Sequence, residues 1–214
     1  MTVYNDTLSK YITDLFAKQD EAQRRVLEDS PQKGLPPISI TPEEGKFLQV
    51  LARSCGATKA VEIGTLGGYS GIWIARGLAP GGKLLTLERE QKHADVARAH
   101  FAAAGVADRV EIRVGDARVS LKSLTAESPF DFVFIDAEKS GYPFYFDWAL
   151  ANVRVGGVIA AHNAFRHGSV AGVGQPTEDT EPMRAFNQRV ADEPRVISTI
   201  YPAGDGTVVA VKVS

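Results

Sequence analysis

Glu62-Ile63-Gly64-Thr65-Leu66-Gly67-Gly68-Tyr69-Ser70 is the stretch on which the reading of this chain turns. It follows a short apolar run over 59–63 and leads into a helical pattern over 70–78. Strand, glycine-rich turn and helix in that order open a parallel βα unit. Glycines in such a turn let the chain reverse sharply and bring backbone close to a ligand. The dinucleotide fingerprint G-x-G-x-x-G is absent, and an acid, Glu62, stands two residues before the first glycine instead.

Outward from this turn the pattern is rhythmic. Strands are predicted over 83–87, 110–114, 130–135 and 157–161, with helices over 91–104, 117–124, 142–151 and 181–191 between and after them. The run at 130–135 is very apolar, as buried parallel strands are. Residues 196–201 and 207–213 flank Pro202-Ala203-Gly204-Asp205-Gly206 and read as a β-hairpin. Upstream, 3–28 reads as one or two amphipathic helices with Leu8, Tyr11, Ile12, Leu15 and Phe16 on one face. A turn-rich linker with three prolines covers 30–37, and Thr41-Pro42-Glu43-Glu44 restarts a helix that runs to about Cys55. The fold class is therefore α/β: a Rossmann-like, mostly parallel seven-stranded sheet with helices on both faces and a C-terminal antiparallel hairpin. Residues 1–214 make a single domain, with 1–37 as an N-terminal helical arm and linker.

Composition bounds the partners. Of 214 residues, 44% are hydrophobic and 23% charged, which is enough apolar matter for a sizeable core. A net charge of -2 argues against a general nucleic-acid footprint, although Arg24, Arg25 and Lys33 could form a local basic patch. The lone cysteine, Cys55, excludes an intramolecular disulfide and suits a reducing cytoplasm; its place at a helix end reads as packing rather than as a nucleophile. Residues 1–18 lack the pattern of a signal peptide, and no apolar run approaches the roughly 18 residues of a membrane span.

In open parallel sheets ligands bind at the carboxyl ends of the strands. Glu62 would repel a buried pyrophosphate but not a cationic, methionine-like moiety, which favours a sulfonium nucleoside over a nicotinamide dinucleotide. Glu88, at the tip of the second strand, is placed to accept hydrogen bonds from ribose hydroxyls. Asp116 either caps the next helix or walls an adenine site. Two acids and a lysine, Asp136, Glu138 and Lys139, follow the fourth strand directly. His162-Asn163 follows the fifth, and both residues carry metal-competent atoms.

With these segments in this order, the chain resembles the cation-dependent small-molecule O-methyltransferases, the family of the caffeoyl-CoA and catechol enzymes. The likeness spans nearly the whole length. It rests on Ser39-Ile40-Thr41-Pro42-Glu43-Glu44-Gly45, Glu62-Ile63-Gly64-Thr65, Gly68-Tyr69-Ser70, Gly115-Asp116-Ala117, the run from Phe130 to Lys139, Arg154-Val155-Gly156-Gly157 and Gly204-Asp205-Gly206. The resemblance implies S-adenosylmethionine (SAM) as cofactor, held by Ile40, Glu62, Gly64, Thr65, Gly68, Ser70, Glu88, Ala117, Asp136, Glu138 and Tyr145. It implies Lys139 and Asp136 as catalytic residues, a small hydroxylated acceptor, and a homodimer. It also implies a divalent metal on Asp136, His162 and Asn163.

Here the chain departs from the family, which usually has aspartate where His162 stands. Histidine removes a negative charge, so the site either prefers Mn²⁺, Fe²⁺, Co²⁺ or Zn²⁺ over Mg²⁺, or works without metal. The expected chemistry is displacement at the sulfonium methyl by an acceptor oxygen, with Lys139 taking the proton or stabilising the oxyanion. Tyr142, Tyr145, Phe165, Arg166 and His167 are the candidate acceptor contacts, and 170–180 is a loop or lid over them. Three rivals remain open: methylation of a hydroxylated uridine in tRNA, a nicotinamide oxidoreductase, and a silent cofactor-binding protein.

Overall fold

Strands that read as apolar runs pair into one sheet. The computed structural model describes residues 4–214, so Val3, where the sequence pattern starts its first helix, lies outside the described residues together with the first two of the arm. Among the described residues seven strands are present: β1 (Lys59–Ile63), β2 (Lys83–Glu88), β3 (Val110–Val114), β4 (Phe130–Ile135), β5 (Val153–Ala161), β6 (Val196–Tyr201) and β7 (Thr207–Lys212). Their order is β3-β2-β1-β4-β5-β7-β6. The first five are parallel, and β7 runs antiparallel between β5 and β6, as the hairpin reading required.

Helices α1 (Asp6–Phe16), α2 (Glu21–Gln32), α3 (Pro42–Ser54), α4 (Tyr69–Gly77), α5 (Gln91–Ala103), α6 (Ala117–Leu124), α7 (Tyr142–Asn152) and α8 (Thr180–Ala191) complete the architecture. Alternation along the strands divides the core in two. Val61, Ile63, Leu85, Leu87, Val133 and Ile135 pack with Leu121 of α6, Phe146 of α7 and Phe186 of α8. Ala60, Leu84, Phe132 and Phe134 point the other way, onto Leu48 of α3, Ile72 and Ile74 of α4 and Phe101 of α5. By the same alternation Glu62 and Thr86, which are register partners, belong to the α4 side. No helix among the described residues is long and apolar enough to cross a membrane.

Two boundaries differ from the sequence reading. α2 runs through Pro31 into the expected linker, because a proline so near the helix end forfeits only one hydrogen bond. β5 starts at Val153 rather than at residue 157. Phe130 pairs with Val153 and Phe132 with Val158, so β5 bulges between them, and Gly156 takes a φ of 78° there. Arg154-Val155-Gly156-Gly157 is the bulge inside this longer strand.

The start of α3 matters for the site. Thr41 is its N-cap in extended conformation, and Pro42 fills the first turn. The Thr41 hydroxyl accepts the Glu44 N–H at 3.3 Å, while Glu44 Oε2 accepts the Thr41 N–H at 2.8 Å. This reciprocal capping box satisfies two donors that helix geometry leaves unpaired. Thr41→Ala should cost about 1 kcal/mol of stability, read as a shift in the denaturant midpoint.

Candidate active site

The carboxyl ends of β1, β2, β4 and β5 open into a cleft of about 1350 Å³. It lies where strand order reverses between β1 and β4, the switch point at which ligands enter open α/β sheets. Gly64 closes the floor there. Its φ is 102°, and a Cβ on it would stand 2.0 Å from the Asp136 carbonyl oxygen, so only glycine lets the tips of β1 and β4 meet.

Under that floor sits a carboxyl group tied to hydroxyls. Glu62 is fully buried. The Ser70 hydroxyl donates to its Oε1 at 2.5 Å and the Thr86 hydroxyl to its Oε2 at 2.7 Å. Thr86 spends its one proton on Glu62, so Thr65, 2.6 Å away, is the donor to Thr86. Thr65 and Ser70 line the cleft, whereas Glu62 stands behind them. Burial pushes the Glu62 carboxyl up to about 7, against the pull of its two hydroxyl donors. Gly68, also expected to touch the cofactor, is not in the cleft wall. It begins α4 with a φ of 86°, packed against Phe101.

Glu88 organises the adjoining turn. Its Oε2 accepts the N–H groups of Thr65 at 3.2 Å and Leu66 at 2.8 Å, and its Oε1 accepts that of Glu90 at 2.9 Å. These bonds help hold Leu66 at a φ of 48°, a left-handed conformation uncommon for leucine. Asp116 caps α6 by accepting the Arg118 N–H at 2.7 Å, and with Ala117 it lines the same wall. Across from them Tyr145 donates to Glu138 at 2.5 Å, and Arg118 pairs with the same carboxylate at 3.3 Å.

Lys139 is not a surface lysine: its side chain is 9% exposed. Its Nζ donates to the Ala137 carbonyl at 2.9 Å and to the Tyr142 hydroxyl at 2.7 Å, and lies 3.4 Å from Asp136 Oδ1. Burial holds its ammonium below the usual lysine range, and the charge of Asp136 only partly restores it. Tyr142 is fully buried edge-on against Phe186, with its hydroxyl on the lysine and the His162 carbonyl. It therefore has no ring face for an acceptor, contrary to the sequence reading, because the first turn of α7 points it inward. Tyr145, Phe165, Arg166 and His167 do line the cleft.

His162 sits between two acids. Its Nε2 is 2.8 Å from Glu44 Oε1, and its Nδ1 is 3.3 Å from Asp136 Oδ2, an ion-pair contact without good hydrogen-bond alignment. Burial pulls the imidazole down, but the neighbouring carboxylates of Asp136 and Glu44 outweigh it and lift the group to about 10. Asp136 is in turn held below the usual carboxylate range: burial raises it, and His162 and Lys139 more than compensate. Asn163 turns its amide nitrogen to Asp205 Oδ2 at 2.9 Å. As placed, His162 commits Nε2 to Glu44 and keeps Nδ1 beside Asp136 without a hydrogen-bond partner among the described residues, so Asp136, His162 and Asn163 remain the residues that would hold a divalent cation.

The loop after β5 is held by Gly204-Asp205-Gly206. Asn163, Arg166 and His167 have φ of 59°, 47° and 54°, and Asp205 binds the first through its side chain and the third through its N–H. Gly206 packs on the ring of Phe165, and Gly204 on the carboxyl of Glu44. Of the residues expected in the site, Ile40, Gly64, Thr65, Ser70, Glu88, Ala117, Asp136, Glu138, Lys139, Tyr145, His162 and Asn163 share the one cleft. Sequence reasoning missed Glu44 and the Tyr142 hydroxyl. The T-x-x-E pattern marks Glu44 as a helix-capping residue but carries no signal of its contact with His162. Cys55 is the half-buried C-cap of α3, its thiol pushed up by burial, which bears out the packing reading.

Residues 14–213 match the model of a family described as O-methyltransferase. A catechol O-methyltransferase from Niastella koreensis is 41% identical over 197 residues, covering 91% of this chain and 89% of the relative. One from Mycobacterium tuberculosis is 44% identical over 160 residues, 75% of this chain and 72% of the relative. Among solved structures, the O-methyltransferase from Bacillus cereus in complex with SAH superposes with a TM-score of 0.88 at 41% identity, over 96% of this chain and 97% of that one.

Proposed function

The chain belongs to the O-methyltransferase family, and we propose that it moves the methyl group of SAM onto an oxygen of a small, catechol-type acceptor. One observation carries this reading: a buried lysine, with its ammonium held low, faces the cleft behind whose Ser70 wall the buried carboxyl of Glu62 stands. SAM supplies an electrophilic methyl that needs no further activation. What the acceptor needs is loss of its hydroxyl proton, because an ionised phenol attacks far better than a neutral one.

Lys139 takes that proton at Nζ, with the Tyr142 hydroxyl and the Ala137 carbonyl fixing where the nitrogen stands. Glu62 offers negative charge to the cationic donor through Ser70, and does so without direct exposure. Glu88 and Ala117 receive the nucleoside end, Glu138 and Tyr145 the opposite wall, and Ile40 the entry from α3. Phe165 and Arg166 face the planar acceptor. The names of the two bacterial relatives favour a catechol. Asp136, His162 and Asn163 would hold a divalent cation, which would lower the pKa of the acceptor oxygen.

The RNA reading is disfavoured by the cleft rim. Its three arginines are paired: Arg89 with Glu90 at 3.1 Å, Arg118 with Glu138 at 3.3 Å and Arg166 with Asp179 at 2.9 Å. Little unpaired positive charge is left there for phosphates. Radiolabelled SAM offered to catechol and to bulk tRNA separates the readings: label should pass to catechol, and label on tRNA alone would overturn the small-acceptor proposal. The exposed Tyr11, Leu15 and Phe16 on α1 support a homodimer, which sedimentation would report.

A further inference from the structure

We propose that His100, which stands behind the cleft wall rather than in it, is a positioning residue for the cofactor: from α5 it holds the Gly67–Gly68 peptide in the orientation that lets the turn after β1 receive SAM. This role presupposes that the cleft takes SAM.

Three features converge on that peptide. First, it is the loose link of the turn. Leu66 is tied to Glu88 through its N–H, and Ser70 is tied to Glu62 through its hydroxyl. Between these anchors stand two glycines, Gly67 lining the cleft and Gly68 at a φ of 86°. With no Cβ on either side, the peptide plane between them can turn over at little steric cost. Hydrogen bonds must therefore set it.

Second, both polar atoms of this one peptide unit are held. The Gly68 N–H donates to the Thr65 carbonyl at 2.8 Å, and the Gly67 carbonyl lies 2.8 Å from His100 Nδ1. A carbonyl only accepts, so Nδ1 carries the hydrogen and donates it. Turning the plane over would break both bonds at once.

Third, the imidazole is not free to follow a moving turn. It is 4% exposed, and its Nε2 has no hydrogen-bond partner among the described residues. Asp29 of α2 stands 3.8 Å from that nitrogen. Ser30 of the same helix backs the turn, since a Cβ on Gly67 would stand 2.4 Å from its hydroxyl. The ring is thus enclosed between α2 and the turn, with Nδ1 as its committed atom.

Without the Nδ1 donor, the free turn would divide between peptide orientations, and SAM would bind only the competent fraction. Apparent affinity falls by that fraction, while the complex, once formed, keeps its geometry. The KM for SAM should rise and kcat at saturating SAM should not change. A general loss of stability would not produce that split.

The test compares His100→Leu, His100→Asn and His100→Gln with the wild type. The Asn amide nitrogen falls where Nδ1 stands, whereas the Gln amide falls where Nε2 stands. Amide hydrogen exchange by NMR is measured first, without any ligand. Exchange at Gly68 should be at least about tenfold faster in His100→Leu and His100→Gln, and near wild type in His100→Asn. SAM titration and methyl transfer to catechol follow. The KM for SAM should rise about tenfold in the Leu and Gln variants and stay within about threefold in His100→Asn, with kcat unchanged in all. Wild-type exchange at Gly68 in every variant would overturn the proposal, and so would equal SAM affinity in the Asn and Gln variants. If His100→Leu does not fold, the Asn and Gln pair decides. Failure of the wild type to bind SAM would count against the function, and exchange at Gly68 would still decide whether His100 holds the turn.

Discussion

Lys139→Ala is expected to lower turnover by about 10²- to 10⁴-fold while leaving SAM affinity nearly intact, the range for losing a positioned general base. The lysine is buried, its ammonium is held below the ordinary range, and its nitrogen is fixed by the Tyr142 hydroxyl at 2.7 Å. Burial thus moves the amine toward the neutral form that accepts an acceptor proton. The wall proposed to receive the cofactor's methionine end is lined by other residues, Ser70 and Thr65, so binding should survive. Single-turnover kinetics beside calorimetric SAM titration reads both quantities. Turnover equal to the wild type would remove Lys139 from the chemistry. Tyr142→Phe serves as the milder companion: it deletes the hydroxyl that seats the lysine and should shift the acidic limb of the pH–rate profile rather than abolish the reaction.

The second large effect is expected at Glu62. Glu62→Gln keeps the shape and both hydroxyl neighbours but removes the charge under Ser70, and SAM should bind about 10- to 100-fold more weakly. A pH signature goes with it. The carboxyl is raised from 4.5 to about 7 in the cofactor-free fold. Its contribution to stability is thus fully present below 4.5 and fades as pH rises through about 7, because the fold keeps a proton that the unfolded chain gives up. A cationic ligand favours the ionised form. SAM affinity should therefore climb with pH, by at most about tenfold per unit, and level off above about 7. Glu62→Gln should flatten that slope. A wild-type affinity independent of pH across this window would show that Glu62 does not feel the ligand.

How these residues could be found in the sequence differs from one to the next. The sheet was legible because buried parallel strands are apolar on both faces, as in Phe130–Ile135, and because glycines mark the turns after them. Lys139, Asp136 and Glu88 were legible because strand tips are where open sheets bind ligands. Glu62 was legible as an acid in the right place but not as one hidden behind Ser70; the alternation that puts it beside Thr86 under α4 was in the sequence and decides the point. Glu44 was not legible as a site residue, because its partner His162 is 118 residues away and only packing of α3 against the tip of β5 brings them together. The function of Gly204-Asp205-Gly206 was hidden for the same reason. Its three residues act on Glu44, on the loop after β5 and on Phe165, none of them near in sequence.

The central claim is that this cleft carries a methyl group from SAM to oxygen. The most direct measurement is product identification: the purified protein is incubated with SAM bearing an isotope-labelled methyl group and with catechol, and the product is characterised by mass spectrometry and NMR. The expected product is a catechol monoether with the labelled carbon bonded to oxygen, formed in step with consumption of SAM. Tight binding of SAM with no labelled methyl on an oxygen of any hydroxylated acceptor would contradict it.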